Sequence, residues 1–530
     1  MRFGRIQLRI HASLLRPLVL AGLIVLLLWP SIWNRGPFYY IDTRTYMRSE
    51  DAAINKFTHL RTAWTAADSD APAAAGSSSS EAAERSLHNI GAAHTRSLED
   101  IKKKGIMLGR SLYWGLLLYL GAVSGGFWLT ILVQAAAVFL ALYLSVRALE
   151  MPVWPALPWI CAGLCVLSDV SFFASYLMPD IFAGLTVLAC AILISAEHRL
   201  GRLENVLWYL LLAFALLAHD TCVLLAVMLI GIAVAANLLR RTFANRRGLC
   251  VILLAAVTAY GGQSLVTYGI TRATGAAPLR FPLIAARLVD DGPGTNYLRA
   301  TCPQSNFTLC AYRSEFPMSS YTFLFGTEPG KSVYEMATYD QRRALSAEQF
   351  RFFLAVLRYD PLGVARSGLR NAAAQFLNFS LADFQYNPGE KDNMDRTFPL
   401  EVLAQIRSTA AYQGTMPSVI LKALPYFCVS ISFLYLLLVW LAVLPGRTIS
   451  PLLKRVFLWA FAGIVLNAAI CGGISANEAR YQARVVWLVP LLALLVEASA
   501  AVDRHRRRLA QRRKASGEES SAPATAISPS

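Results

Sequence analysis

Long apolar runs recur along the chain, and most of the connections between them are short and polar. A helix that crosses a membrane needs about 20 mainly apolar residues. The pattern predicts an all-α polytopic membrane protein with about ten transmembrane helices, at Leu14–Trp33, Phe127–Ala148, Trp154–Ala174, Asp180–Ser195, Asn205–Ala218, Cys222–Leu239, Leu249–Ile270, Val419–Leu444, Val456–Ala469 and Val485–Ala500. Only His219–Thr221 separates the fifth run from the sixth, so these runs form either two short helices, which we favour, or one long broken helix.

Basic residues border the same alternate set of connections. They occur at Arg2–Arg16, Arg147, Arg199 and Arg202, Arg240–Arg247, Arg447–Arg455 and Arg504–Lys514. Loops rich in lysine and arginine stay in the cytoplasm. The pattern therefore predicts that both termini are cytoplasmic, in a multi-pass protein of the bacterial inner (plasma) membrane. The first run has no small-residue cleavage site after it, which favours a retained span over a signal peptide.

These assignments divide the chain into six regions. Residues 1–33 form a cytoplasmic N-terminus with the first span. Residues 34–126 form the first outer loop, with a disordered insert at 66–84 and an interfacial helix at 111–122. Spans two to seven occupy 127–270, a mostly helical extracytoplasmic domain occupies 271–417, the last three spans occupy 418–501, and 502–530 is a basic, disordered cytoplasmic tail.

Within the 271–417 domain, two sequence signals predict helix ends. Ser346 and Gln349 match a capping box before an apolar run, so a helix is expected over Phe350–Arg358. Asp360-Pro361 should end that helix, and a second helix should follow to about Phe379.

Composition supports a membrane protein. The chain has 530 residues, of which 55% are hydrophobic and only 16% charged, less charge than soluble domains carry. The net charge of +17 could indicate nucleic acid, but the basic residues lie beside the apolar runs, so we predict no nucleic-acid partner. Cys302 and Cys310 share a polar loop and could form a disulfide in an oxidising compartment.

Ionisable residues at the outer ends of the predicted spans are the candidate site. Such residues at membrane depth are costly and usually mark function. Asp42 follows the first span between aromatic residues that include Tyr40 and Tyr46, which could stack on a sugar or form an ordinary interfacial belt. Taken alone, Asp42 could equally be a helix N-cap.

Two further positions add acids and a histidine to the same face. Asp180 opens the fourth predicted span, where it could also be a simple N-cap. His219 and Asp220 lie between two apolar runs, and this pair could serve in proton transfer or metal ligation.

Arginines before the last span add anion-binding groups. Arg480 and Arg484 lie four apart, so a helix would present both on one face, with Tyr481 beside them. Arginine binds phosphate in a bidentate manner, which suits a polyprenyl-phosphate head group. The alternative is snorkelling to the interface, but these residues lie on the outer side, against the positive-inside trend. Arg110 is a further phosphate candidate.

Four stretches resemble the GT-C superfamily of integral-membrane glycosyltransferases, which includes the protein O-mannosyltransferases and the lipid A aminoarabinose transferases. Tyr40–Tyr46 looks like the first-loop acidic motif, and Gly109–Phe127 like the juxtamembrane helix and its entry into the next span. Ser175–Phe182 is similar to the short loop with an acidic residue, and Ala479–Leu492 to the Arg-Tyr and Pro-Leu-Leu segment near the end of many members. Arg110-Ser111-Leu112 differs from the His-Pro-Pro or Arg-Pro-Pro motif found in many of them.

The resemblance implies an inverting transfer of one sugar from a polyprenyl-phosphate donor to a lipid, glycan or protein acceptor on the extracytoplasmic face. Asp42 would take the proton of the acceptor hydroxyl, while Arg480 or Arg484 would stabilise the departing phosphate. Asp180 would orient the acceptor or hold a divalent cation, which some members use and others do not.

Two other functions remain open from the sequence. A transporter or lipid flippase is also polytopic, but such proteins often show internal repeats and polar residues near the middle of the membrane. A non-catalytic scaffold is the second alternative, and in that case Asp42, Asp180 and Arg480 would be replaceable.

Overall fold

The structure is a computed structural model, and it describes residues 16–60, 62–64, 110–239, 244–326, 331–445, 447 and 449–515. About 79% of it is helical, and the described residues contain no β-strand, so the predicted all-α class is confirmed. The insert predicted at 66–84 lies outside the described residues.

The helices before residue 280 build most of the apolar body. They are α1 (Arg16–Leu26), α2 (Trp29–Asn34), α3 (Ile41–Thr58), α4 (Leu112–Val123), α5 (Trp128–Ala148), α6 (Val153–Leu167), α7 (Val170–Ala174), α8 (Ile181–Ala196), α9 (Arg202–Ala218), α10 (Asp220–Leu239) and α11 (Arg246–Thr274). A 3₁₀ turn at Glu197–Arg199 follows α8.

The later helices divide into a group at the end of the bundle where Asp42 and Asp180 lie, which we call the outer end, and a final apolar group. The outer helices are α12 (Leu283–Asp291), α13 (Pro293–Thr301), α14 (Ser320–Phe325), α15 (Tyr339–Tyr359), α16 (Pro361–Leu377), α17 (Pro388–Thr397), α18 (Leu400–Arg407) and α19 (Ala410–Gln413), with 3₁₀ turns at Thr308–Glu315 and Ala382–Phe384. The final helices are α20 (Ser418–Trp440), α21 (Pro451–Ile474), α22 (Ala479–Val486) and α23 (Leu488–Ala515).

Within the described ranges, seven helical stretches are long and apolar enough to cross a membrane, judged by length and composition: Trp128–Ala148, Ile181–Arg199, Asp220–Leu239, Arg246–Ala273, Ser418–Trp440, Pro451–Ile474 and Ala479–His505. The three other predicted spans correspond to shorter helices. The first is divided between α1 and α2, where Pro30 stands in the first turn of α2. The third corresponds to α6, and the fifth to α9.

His219 separates two helices, and Asp220 and Thr221 begin the second of them. α9 ends at Ala218, His219 has an extended backbone (φ −151°, ψ 122°), and α10 begins at Asp220. The structure therefore has the two helices that the sequence analysis favours. This break places His219 at the outer end of the bundle, beside the start of α8.

Helix α8 is the centre of the bundle, and every side chain from Ile181 to Ala196 is buried. Its neighbours approach closely at small residues, as expected for helices packed in an apolar solvent. Gly184 faces the backbone of Arg484, and Gly463 of α21 faces Val187. Because α8 is surrounded by helices, Asp180 at its outer end occupies the middle of the outer face.

The 271–417 region divides its buried residues between two hydrophobic cores. One core lies between Ala285 and Val356 and is separate from the main core. We call Leu283–Tyr359 the outer lobe. The stretch from Phe379 to Met416 instead packs into the main core. The outer lobe also contains the Cys302–Cys310 disulfide that the sequence suggested.

The predicted helix start at Phe350 is wrong. Ser346 does not cap a helix but lies inside α15, whose cap is Thr338 with Gln341 at the matching position, the same pattern eight residues earlier. The break at Asp360-Pro361 is confirmed, and the Asp360 carboxylate accepts the Gly363 amide hydrogen as the cap of α16.

The tail boundary at 502 also requires correction. Helix α23 continues to Ala515 without a break. Arginine, alanine, glutamine and lysine, which dominate 504–515, are good helix formers, so the apolar span extends as a basic helix. Residues 516–530 of the predicted disordered tail lie outside the described residues.

Candidate functional site

Backbone hydrogen bonds bring the start of α3 beside the start of α8. The Phe38 amide donates to the Ser175 carbonyl (3.0 Å), and the Leu177 amide donates to the Phe38 carbonyl (2.9 Å). The Thr43 hydroxyl also donates to the Leu177 carbonyl (3.1 Å). These contacts hold Asp42 and Asp180 on the same face of the bundle.

The carboxylate of Asp42 lies between two arginines. Asp42 is in the first turn of α3, but the Tyr40 amide at the N-cap bonds to the Thr43 hydroxyl (3.1 Å). The Asp42 carboxylate instead pairs with Arg110 Nη2 at 2.6 Å and lies 3.9 Å from Arg480 Nη2. The side chain of Asp42 is 22% exposed and that of Arg110 33%, so a ligand can reach both.

Asp180 is at the N-cap of α8, but its side chain makes no capping hydrogen bond. Its Oδ1 accepts from Arg484 Nη1 at 3.2 Å, across 304 residues of sequence. Both side chains are almost inaccessible, at 2% and 1% exposure. The Asp180–Arg484 pair therefore joins α8 to α22 inside the protein, and simple capping does not explain the position of Asp180.

Arg484 is nearly saturated with protein partners. Besides Asp180, Nη2 donates to Asn467 Oδ1 (3.2 Å) and to Cys471 Sγ (3.3 Å). Nη1 also lies 3.4 Å from His219 Nε2. Because Nη1 and Nη2 already bond to protein groups, Arg484 holds helices together rather than binding a ligand.

Arg480 differs from Arg484 in how few of its N–H groups bond to the described residues. Its guanidinium lies 4.0 Å from the ring centroid of Tyr40 and 5.1 Å from that of Tyr481. The side chain is only 7% exposed, yet Nε and Nη1 make no hydrogen bond to the described residues. A buried donor without a partner costs about 1–3 kcal/mol. Of the two arginines on α22, Arg480 is therefore the one whose N–H groups can bind an anion.

His219 belongs to the site, whereas Asp220 borders a neighbouring pocket. Burial, followed by the Arg484 guanidinium, lowers the pKa of His219 to about 3, so the ring is neutral near pH 7. The Asp220 carboxylate accepts from Gln263 Nε2 (2.8 Å). It lines a small pocket together with Arg110 and Arg280.

Tyr40, Tyr46 and Tyr481 supply the aromatic surroundings of the arginines. Tyr40 and Tyr481 stack on Arg480 as described above, and the Arg110 guanidinium lies 5.8 Å from the ring centroid of Tyr46. Burial raises the pKa of both Tyr40 and Tyr46, so both keep their hydroxyl protons. An aromatic face beside a guanidinium suits a ligand that joins an anion to a sugar ring.

Sequence reasoning missed three residues of this site: Asp383, Tyr176 and Asn467. Asp383 is the middle residue of the 3₁₀ turn Ala382–Phe384. Burial raises the pKa of Asp383, while the positive charge of Arg480 lowers it. Tyr176 packs against Tyr40 with ring centroids 6.0 Å apart. The signal for Asp383 was weak: a lone acid between Phe379 and Phe384.

The residues present do not fit a divalent cation. The carboxylates of Asp42 and Asp180 face guanidinium groups, and a cation placed there would be repelled by Arg110, Arg480 and Arg484. No group of three or more His, Cys, Asp or Glu side chains that could hold a metal ion occurs within the described ranges. The donor set matches an anion instead.

Gly184 allows α22 to approach α8, and its replacement by alanine is expected to destabilise the protein. A Cβ atom at this position would lie 2.7 Å from the Arg484 carbonyl oxygen and collide with the Trp487 indole. Overpacking of this kind costs typically about 1–3 kcal/mol. We expect a lower midpoint of thermal unfolding for Gly184→Ala.

The control for this change is Gly231→Ala in α10, where a Cβ atom would meet nothing within 4 Å. That variant should unfold at or slightly above the wild-type temperature, since alanine favours a helix. Equal midpoints for the two variants would show that the α8–α22 contact is looser than the structure indicates.

Comparison with models of known protein families, with curated proteins and with solved structures found no match to this chain.

Proposed function

We propose that the protein is a membrane-embedded glycosyltransferase of the GT-C type. It transfers one sugar from a polyprenyl-phosphate donor to a lipid, glycan or protein acceptor on the extracytoplasmic face. The main support is the accessible Asp42 carboxylate held between Arg110 and Arg480, with two buried Arg480 donors that bond to none of the described residues. A base next to an anion site is what transfer from a phosphate requires.

The proposed reaction is a displacement with inversion at the anomeric carbon. The acceptor hydroxyl oxygen forms a bond to that carbon while its proton passes to the Asp42 carboxylate. The bond from the anomeric carbon to the phosphate oxygen breaks, and its electron pair leaves with the polyprenyl phosphate. The charge that develops on the phosphate is stabilised by positioned guanidinium groups.

The two arginines beside Asp42 take different parts in this proposal. Arg480 offers its unpaired Nε and Nη1 to the phosphate. Arg110 is the more exposed of the two and contacts Asp42 at 2.6 Å, so an arriving phosphate can compete for it. Loss of that contact would raise the basicity of Asp42 just when the acceptor must be deprotonated.

Asp180 and His219 do not contact the substrate in this proposal but support the residues that do. With Asp180 almost fully buried against Arg484, we assign it a positioning role: it fixes α22, which carries Arg480 one turn before Arg484. His219 contacts Arg484 and supports the same arrangement.

The outer disulfide supports the orientation that we propose. Disulfides persist in oxidising compartments and are rare in the cytosol. The Cys302–Cys310 bond lies in the outer lobe, which packs on the same end of the bundle as Asp42 and Asp180. This end would face the periplasm of a bacterial inner membrane, with both termini in the cytoplasm, and all ten predicted spans, including α1–α2, α6 and α9, would lie in the bilayer.

The donor-binding part of the proposal is tested with polyprenyl monophosphate added to the purified protein. A ligand that binds only the folded state raises the midpoint of thermal unfolding. We expect polyprenyl monophosphate to raise the midpoint and polyprenol, which lacks the phosphate, to leave it unchanged. In Arg480→Lys the rise should largely disappear, because lysine cannot present the fork of donors.

The matched control is Arg299→Lys, since Arg299 donates to the Phe316 carbonyl inside the outer lobe, away from the site. It should respond to polyprenyl monophosphate as the wild type does. An equal response to polyprenol, or a full response in Arg480→Lys, would contradict the assignment of Arg480 to the phosphate.

A further inference from the structure

Helix α16 packs lengthwise against α21, one of the helices that can cross a membrane. Asn371 lies against Gly472, near the outer end of α21, and Phe376 lies against Phe461, with ring centroids 6.3 Å apart. Residue numbers rise along α16 while they fall along α21, so the two helices are antiparallel. The C-terminal half of α16 therefore points toward the middle of the bundle.

The dimensions of α21 place this half of α16 at membrane depth. From Val456, the first residue after Lys454 and Arg455, to Ile474 the helix rises by roughly 28 Å. The hydrocarbon core of a bilayer is about 30 Å thick, so the apolar part of α21 just spans it. Gly472 and Phe461 then both lie within that thickness, and so do the residues of α16 that touch them.

A second helix anchors the end of α16 at the same level. The Tyr426 hydroxyl of α20 donates to the Leu377 carbonyl (3.1 Å), and the Phe379 amide donates to the Tyr426 hydroxyl (3.1 Å). Tyr426 is two turns inside α20, counted from its outer end at Ser418. The contact with Tyr426 thus fixes the C-terminus of α16 below the outer ends of both neighbouring helices.

The face of α16 that turns away from the protein is apolar. Leu362, Leu369 and Leu377 are 82%, 73% and 67% exposed. Ala365 and Ala373 lie on the same face and are also exposed. This face continues the apolar surface of α21, where Leu458 and Val465 are 43% and 42% exposed. Leucines at this spacing form the apolar stripe of an amphipathic helix.

Arginines border this stripe on one side. Arg366 and Arg370 are exposed, and Arg370 Nη2 lies 3.5 Å from Asp291 at the end of α12. Arg366 lies in the half of α16 nearer the outer lobe and Arg370 lies just past the middle of the helix, so both side chains can extend toward the phosphates of the outer leaflet. Long basic side chains reach from the apolar boundary to phosphate in this way.

We propose that the outer leaflet of the membrane covers this face of α16, with Leu369 and Leu377 in the acyl chains, Leu362 nearer the headgroups, and the Arg366 and Arg370 side chains extended to the lipid phosphates. The helix would thereby hold the outer lobe at the membrane surface. This inference needs only that α21 crosses a membrane with the outer lobe on the extracytoplasmic side, so it stands or falls separately from the proposed sugar transfer.

The opposite face of α16 contacts the backbone that leads into the candidate site. The Gln375 side chain donates to the Glu478 carbonyl (2.8 Å) and accepts from the Glu478 amide (3.0 Å). Gln375 is fully buried. Glu478 is two residues before Arg480, so the depth of α16 in the bilayer sets the position of the backbone that carries Arg480.

Spin labels test the proposal in the full chain, reconstituted in nanodiscs of phosphatidylcholine and phosphatidylglycerol. Leu362, Leu369 and Leu377 are each replaced by cysteine and labelled. The background carries Cys250→Ser, because Cys250 is an exposed free cysteine. Molecular oxygen concentrates in the bilayer and a water-soluble nickel chelate stays outside, so their ratio of collision rates with the label reports depth.

We expect the ratio to be several-fold higher at residue 369 than at the control Asp392→Cys, whose native side chain is 58% exposed on polar α17. The ratio should rise from residue 362 to residue 377. A ratio at 369 equal to that at 392 would place the face in water and overturn the proposal. Low collision rates with both reagents would show that protein, from a partner or a second copy, covers the face, and would also overturn it.

Discussion

Replacing Asp42 with asparagine is expected to abolish sugar transfer without lowering the amount of folded protein. Asparagine keeps the shape of the side chain and an oxygen that Arg110 can reach, but it cannot take up a proton from the acceptor. A general base contributes about 10²–10⁴-fold to the rate of such a reaction. The product should be measured by mass spectrometry in cells that carry only the variant, beside the quantity of protein in their membranes.

The matched control is Asp392→Asn, because Asp392 forms an exposed ion pair with Arg396 on α17. Cells with this variant should make the wild-type amount of product. Full transfer by Asp42→Asn would exclude Asp42 as the base, whatever the behaviour of the control. A loss of transfer together with a loss of protein would instead indicate that the contact between Asp42 and Arg110 supports folding.

Replacing Arg484 with methionine is expected to cause the largest loss of stability at the site. The change leaves the Asp180 carboxylate buried without its charged partner, and it also removes the donors to Asn467 and Cys471. Breaking a buried ion pair on one side costs about 3–5 kcal/mol. The measurement is the midpoint of thermal unfolding in detergent, together with the yield from membranes.

Two further variants test this explanation. The double change Asp180→Asn with Arg484→Met removes both charges, so much of the lost stability should return. Arg407→Met breaks an exposed pair with Asp395 and should leave the midpoint of thermal unfolding close to that of the wild type. If Arg484→Met were as stable as Arg407→Met, the Asp180–Arg484 pair would not be the tie between α8 and α22 that the structure indicates.

The sequence predicted the residues of the site better than their roles. Asp42, Asp180, His219 and Arg480 could be chosen because each stands where an apolar run ends on one face, which a hydropathy pattern shows directly. Their partners could not be read in the same way. The Asp180–Arg484 bond joins residues 304 apart, and no local pattern encodes such a contact.

The two arginines illustrate the limit most clearly. Their spacing of four predicts two guanidinium groups on one helix face, and both lie on α22. The sequence offered no reason to distinguish them. Their difference comes from α21, which supplies Asn467 and Cys471 to Arg484, while Arg480 faces the rings of Tyr40 and Tyr481.

Local signals also failed where tertiary structure selected among equivalent patterns. Thr338 with Gln341 and Ser346 with Gln349 both match a capping box, and the sequence does not say which one is used. The structure uses the first, and Ser346 donates instead to the Arg280 carbonyl. In the same way, α16 resembles any amphipathic helix until its contacts with α20 and α21 show how deep it lies.

The lipids and surface glycans of cells that lack this protein, compared with those of their parent by mass spectrometry, test the central proposal most directly. We predict that one glycolipid or glycan becomes lighter by the mass of a single sugar residue, and that a polyprenyl-phosphate sugar accumulates. Restoring the wild-type gene should reverse both changes. Unchanged glycans and lipids, with altered uptake or export of a solute, would contradict a glycosyltransferase and indicate a transporter.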